Sequence, residues 1–204
     1  MTRTETGAAL GFAPHSGWAA AVALGGSRDA PEVLARTRVE MADSRRPGSK
    51  QPYHAVEALG VKKAAEQLDR YMDAAQANAY AGIQTLIKDL GRTGWRITTL
   101  GILDSSGRKG GALDAILASH ALIHTADGDH FRQALAAAAE RSGLVASRIR
   151  VKDLEREAAV RLARPIASLR KAVIDLGRPV GPPWGADQKM AALLAWLLLP
   201  GESR

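Results

Sequence analysis

Leu10-Gly11-Phe12-Ala13-Pro14-His15-Ser16-Gly17-Trp18-Ala19-Ala20-Ala21-Val22-Ala23-Leu24 is an apolar run broken once, at Pro14-His15-Ser16-Gly17. Proline and glycine are turn formers, so the run predicts a hairpin, which Gly25-Gly26-Ser27 ends. A third strand is expected from Glu32 to Met41. There Val33, Ala35, Thr37, Val39 and Met41 alternate with a set that includes Glu32, Arg36, Arg38 and Glu40, the period-two pattern of a strand with one face in water. The segment from Ala42 to Tyr53 is polar and rich in chain breakers, and reads as a mobile loop.

Apolar residues then recur at helical spacing from His54 to Leu90, among them Val56, Leu68, Ile83 and Leu86. This predicts one long helix stopped by Gly91, with a kink at Gly60 or Gly82. Trp95 to Leu103, rich in β-branched and apolar residues, has the composition of a buried central strand ending at Asp104. Helices are expected over Leu113–Ser119 and Asp127–Ser142, the second capped by Asp127 and closed by Gly143. A short strand at Ser147–Val151 follows. Asp153 is placed to cap a helix over Leu154–Leu176, bent at Pro165, and a last helix begins at Gly185 or Asp187. The order is β-β-β-α-β-α-β-α-α.

That order resembles the ribonuclease H-like fold, and Gly11-Phe12-Ala13-Pro14-His15-Ser16-Gly17-Trp18-Ala19 resembles the first-strand motif of RuvC-type resolvases and sugar-kinase-like ATPases. The resemblance implies one α/β domain over residues 1–204, with a mixed five-stranded sheet: three antiparallel strands, then two parallel ones, flanked by helices. In the nuclease branch, acidic residues on the first strand, at the end of the fourth and on the last helix hold two Mg²⁺ ions. Asp104 and Asp187 occupy two of those places. Ala13 stands at the third, and its methyl group ligates nothing, so the resemblance implies the fold without two-metal cleavage. Of the ATPase branch's glycine-rich phosphate loops, Ser105-Ser106-Gly107-Arg108-Lys109-Gly110-Gly111 is the nearest counterpart.

Composition sets the outer bounds. The 204 residues suffice for one domain with a sizeable core. The chain has no cysteine, which excludes disulfides, thiolate catalysis and cysteine-ligated metal centres. No signal peptide is evident, and Met190–Leu199 is far shorter than the roughly 20 apolar residues a membrane span requires; a cytoplasmic protein is expected. The net charge of +7 favours a polyanionic partner, nucleic acid or a phosphorylated molecule.

Histidines are concentrated between residues 120 and 130. If that segment is helical, His120 and His124 lie one turn apart on one face, the spacing of paired imidazole metal ligands, although Ala121 stands where a zinc protease has glutamate. Packed histidines and phosphate-contacting histidines explain the same density. His15, in the first turn, and His54 are both placed to reach Asp104. The candidate catalytic residues are therefore His15, Asp104 and Asp187. Candidate ligand contacts are Ser16, His54, Arg108, Lys109, His120, His124 and Lys189. No residue is assigned as a metal ligand, and the cofactor is open, a divalent metal being allowed. The leading expectation is a non-nucleolytic module that binds nucleic acid or a phosphorylated ligand. A metal-dependent hydrolase with a His/Asp centre is the alternative, and a structural or homo-oligomerising protein is the third.

Overall fold

The computed structural model describes residues 6–105 and 110–200. Among them are strands β1 (Thr6–His15), β2 (Trp18–Gly26), β3 (Pro31–Glu40), β4 (Trp95–Asp104) and β5 (Ala146–Arg150). The helices are α1 (Pro52–Val56), α2 (Val61–Arg92), α3 (Leu113–Leu117), α4 (His120–Arg141), α5 (Leu154–Arg161), α6 (Ile166–Leu176) and α7 (Ala186–Leu198). The sheet order is β3-β2-β1-β4-β5. The first three strands pair antiparallel, β4 runs parallel to β1, and β5 runs parallel to β4. This is the mixed topology expected from the order of elements.

The apolar runs of β1, β2 and β4 are continuous because helices cover both faces. Leu10, Phe12, Ala21, Leu100 and Ile102 face α2 and α4, whereas Ala9, Ala13, Ala20, Val22 and Leu103 face α5, α6 and α7. Helix α7 is the centre of the second layer. Every residue from Ala191 to Leu199 is buried, so it is apolar around its whole circumference, as a helix enclosed on all sides must be. It also lies very close to the sheet. A Cβ on Gly11 would stand 2.0 Å from the Ala191 carbonyl oxygen, and one on Gly101 2.6 Å from Leu198.

Several sequence expectations give way. The helix expected over residues 54–90 is two, α1 and α2, because Gly60 adopts an extended conformation at the α2 N-cap. Residues 120–126, expected as a break, form the first two turns of α4, which runs uninterrupted through Gly128. Asp127 is therefore no N-cap. The helix expected over 154–176 is also two, since Ala163 takes a left-handed φ of 50° and Pro165 is the N-cap of α6. Asp153 makes no side-chain cap there and pairs with Arg150 and Arg156 at 2.6 and 2.7 Å. The loop after β3, expected as mobile, carries ordered hydrogen bonds: Ser49 Oγ donates to the Asp43 carbonyl and the Tyr71 hydroxyl to the Pro47 carbonyl, both at 2.7 Å. No described helix is long and apolar enough to cross a membrane.

Two glycine substitutions test the packing, with opposite signs. Gly11→Ala forces the α7 backbone away from β1 and is expected to cost about 1–3 kcal/mol or more, as overpacked cores do. Gly91→Ala, in α2 with nothing within 4 Å of the new methyl, is expected to stabilise by about 0.5–1 kcal/mol through helix propensity. Denaturant midpoints at constant m-value check both.

Candidate functional site

In open α/β sheets ligands gather at the carboxyl ends of the parallel strands, here the ends of β1 and β4. Side chains alternate between faces along a strand, and this alternation decides which groups meet. Ala13 and His15 of β1 lie on the α7 face. His15 Nε2 sits 3.0 Å from Asp187 Oδ1, at the first turn of α7. The two-residue turn Ser16-Gly17, with Gly17 at φ +86°, places His15 directly across from Trp18. Their rings stack at 4.4 Å with 10° between planes, and the Arg38 guanidinium lies 3.8 Å from the indole centroid. Imidazole, indole and guanidinium thus stack at the mouth of the hairpin, beside the exposed Ser16.

Asp104 goes to the other face. In the register of β1 with β4, Phe12 pairs with Ile102; the β4 residue that shares Ala13's level and face is Leu103, and Asp104 points toward α4. It is buried. Arg148 reaches its two carboxylate oxygens, both at 3.4 Å, and bridges to Asp129 at 3.1 Å. Arg132 Nε lies 3.9 Å from Asp104 and donates to the Leu103 carbonyl at 3.2 Å. Burial lowers the Arg132 pKa, with Asp104 and Asp129 acting against it, and a guanidinium remains charged through such a shift. Asp104 is a member of a buried ion network. It does not meet His15 or Asp187, and the three-residue pocket expected from the sequence is not formed.

This arrangement does not fit a pair of Mg²⁺ ions. Ala13 presents a methyl group, Asp104 is engaged by arginines on the α4 face, and Asp187 pairs with the His15 imidazole on the α7 face, so no two of these side chains offer carboxylates to one ion.

No family model matches the sequence, and no curated protein matches it. Two structures of RuvC from Thermus thermophilus share its architecture. One, described as RuvC in complex with Holliday junction substrate, aligns with a TM-score of 0.50 at 12% identity, over 93% of this chain and 90% of that one. The other, RuvC alone, aligns with a TM-score of 0.51 at 11% identity, over 93% and 92%. The fold is ribonuclease H-like. At these identities the likeness is one of fold, and the chemistry of the chain is read from its own side chains.

The remaining sequence candidates lie elsewhere. Lys189 lines a surface cavity of about 520 Å³ with Glu155, Arg170 and Met190, between α5, α6 and α7. Arg108 and Lys109 are outside the described residues. His54, His120 and His124 form a cluster of their own, with ring centroids 4.5–5.3 Å apart. His54 Nδ1 is 2.5 Å from the buried Asp127 carboxylate, whose other oxygen accepts the Tyr53 backbone N–H at 2.7 Å. Burial raises the Asp127 pKa, and the bonds from His54 and Tyr53 oppose that shift. His120 and His124, expected as packed side chains or ligand contacts, are exposed, and their Nε2 atoms are 3.0 Å apart. Sequence reading missed Trp18 and Arg38, and it read Asp127 as a helix cap rather than as the partner of His54. The two-residue turn was the available signal for Trp18, since it forces residue 18 opposite residue 15.

His130 is buried among apolar neighbours, and its Nε2 has no hydrogen-bond partner among the described residues. Burial pushes its pKa from 6.5 down to about 4, against a smaller opposing effect from the Tyr71 backbone. The unfolded chain therefore binds more protons between those values, and stability present above pH 6.5 is lost as pH falls toward 4. The loss between pH 7.5 and 5 is expected to be about 2 kcal/mol, and His130→Leu is expected to remove it in a comparison of denaturation curves. The two edge groups separate equally clearly. Asp104→Asn breaks a buried charged network and is expected to cost about 1–3 kcal/mol, whereas His15→Ala removes a half-exposed pair and is expected to leave the melting temperature nearly unchanged.

Proposed function

We propose that the protein is a ribonuclease H-like module that binds nucleic acid at the β1–β2 turn, at the carboxyl end of β1, and does not cleave it by the two-metal route. One observation carries this reading. Where the nuclease form of the fold requires converging carboxylates, the chain places a stack of His15, Trp18 and Arg38, and each of the two carboxylates beside it is paired, Asp187 with His15 and Glu40 with Arg38. Planar aromatic and guanidinium groups at an exposed edge offer stacking surfaces to bases, worth about 1–3 kcal/mol per base. A net charge of +7 supplies the phosphate attraction. The RuvC structure with a Holliday junction makes branched DNA the natural first probe.

A phosphorylated small molecule is the narrower form of the same reading. The hydrolase alternative draws support from the separate cluster of His54, His120 and His124, and not from His15 with Asp104.

Fluorescence anisotropy with a labelled four-way junction, a duplex and a single strand tests the proposal. Binding is expected to weaken linearly in log–log form with rising salt. Arg38→Ala and His15→Ala are each expected to weaken it by about fivefold to a hundredfold, as loss of a stacking or phosphate contact does. Incubation with Mg²⁺ is expected to leave every substrate intact. Absence of binding at low salt overturns the reading, as does cleavage that Asp187→Asn abolishes.

A further inference from the structure

Three imidazoles from two helices converge beside α1, apart from the sheet edge. His54 is in α1. His120 and His124 lie one turn apart in α4, and one ring nitrogen from each of the three can be chosen so that all lie within 4.8 Å of one another. The rings meet edge to face, at 64–88°, and not in parallel stacks.

The polarity of His54 is set from behind. Its Nδ1 faces the Asp127 carboxylate, which is only 3% exposed, at 2.5 Å. A buried carboxylate keeps the proton on Nδ1 and leaves Nε2 as the lone-pair nitrogen of His54; metal-bound histidines are oriented in the same way. His120 and His124 supply the opposite half. Their facing Nε2 atoms, 3.0 Å apart, share one hydrogen bond, and a cation between them would accept both lone pairs.

We propose that His54, His120 and His124 bind a divalent transition metal of the zinc class, with Asp127 orienting His54. Imidazole suits zinc, copper and nickel rather than magnesium or calcium. Zinc–nitrogen bonds of about 2.0–2.1 Å place tetrahedral ligand atoms about 3.3 Å apart, and the observed separations are close enough that rotation of the two exposed side chains closes the site. The fourth position faces solvent, because His120 and His124 are themselves exposed. Three imidazoles with one open position make up a catalytic rather than a closed structural zinc site. The site also joins α1 to α4, so occupancy stabilises the fold by mass action. The proposal is independent of the nucleic-acid reading.

Untagged protein, stripped with a chelator and exchanged into metal-free buffer, is titrated with Zn²⁺ by calorimetry and in competition with a chromophoric chelator. Cobalt substitution reports the geometry through its visible absorption. One equivalent is expected to bind and to raise the melting temperature. His120→Ala and His124→Ala, both at exposed positions and therefore compatible with folding, are each expected to weaken binding at least about tenfold, and Asp127→Asn about tenfold to a hundredfold. Circular dichroism confirms that each variant is folded. Absence of saturable one-to-one binding overturns the proposal. So does a folded His54→Ala variant that binds as tightly as the parent, since the metal is then held by the surface pair alone.

Discussion

The approach of α7 to the sheet governs the rest of the molecule. A helix whose Ala191 carbonyl would stand 2.0 Å from a Cβ at Gly11 can lie there only because β1 and β4 present glycine at Gly11 and Gly101. Close approach buries α7 on every side and fixes its rotation about its own axis. That rotation brings Asp187, in its first turn, against the end of β1. Hydrogen bonds at the other end hold it in register: Thr99 Oγ1 and Arg28 Nε donate to the carbonyls of Leu198 and Leu199, both at 2.9 Å, and Trp196 Nε1 donates to that of Arg28 at the same distance.

A second constraint is parity. One step along β4 separates Leu103, on the α7 face, from Asp104, on the α4 face. Had the strand been shifted by one residue, a carboxylate would stand beside Ala13. The chain instead commits that acid to Arg148 and Arg132, and the edge is left with stacked rings and a guanidinium. Removing one partner from such a buried network exposes the cost of the charge that remains, so Asp104 is held to its arginines.

The sheet was legible because its patterns are local: alternation in β3, unbroken apolar runs in β1, β2 and β4, and a turn at Ser16-Gly17. The meeting of His15 with Asp187 followed from topology alone. What escaped depended on distant packing. The side to which Asp104 turns depends on its register with β1, which no residue of β4 announces. The cluster around Asp127 required α4 to run through Gly128, whose helix propensity argues for a break at about 1 kcal/mol. Tertiary packing overrides that preference, since Ile123 and Phe131 are fully buried on either side. A Cβ at Gly128 would also stand 2.8 Å from Arg132 Nη1, so glycine clears the path of the arginine toward Asp104.

Helix α2 has 32 residues, about 48 Å, while β1 has 10, about 33 Å. The excess is not idle. Residues from Ala75 to Leu90 lie on the sheet core, and Ala64, Leu68 and Tyr71 pack with Val56, Tyr53, Leu113 and Leu117 in a small core of their own. The first turns of α2 thus carry an annex, with α1, α3 and the histidine end of α4 standing beyond the strands. An annex with a separate core has a separate opening free energy. Its amides are expected to exchange with solvent through a local opening that leaves the sheet closed, which would let this end of the molecule breathe independently of the fold that supports it.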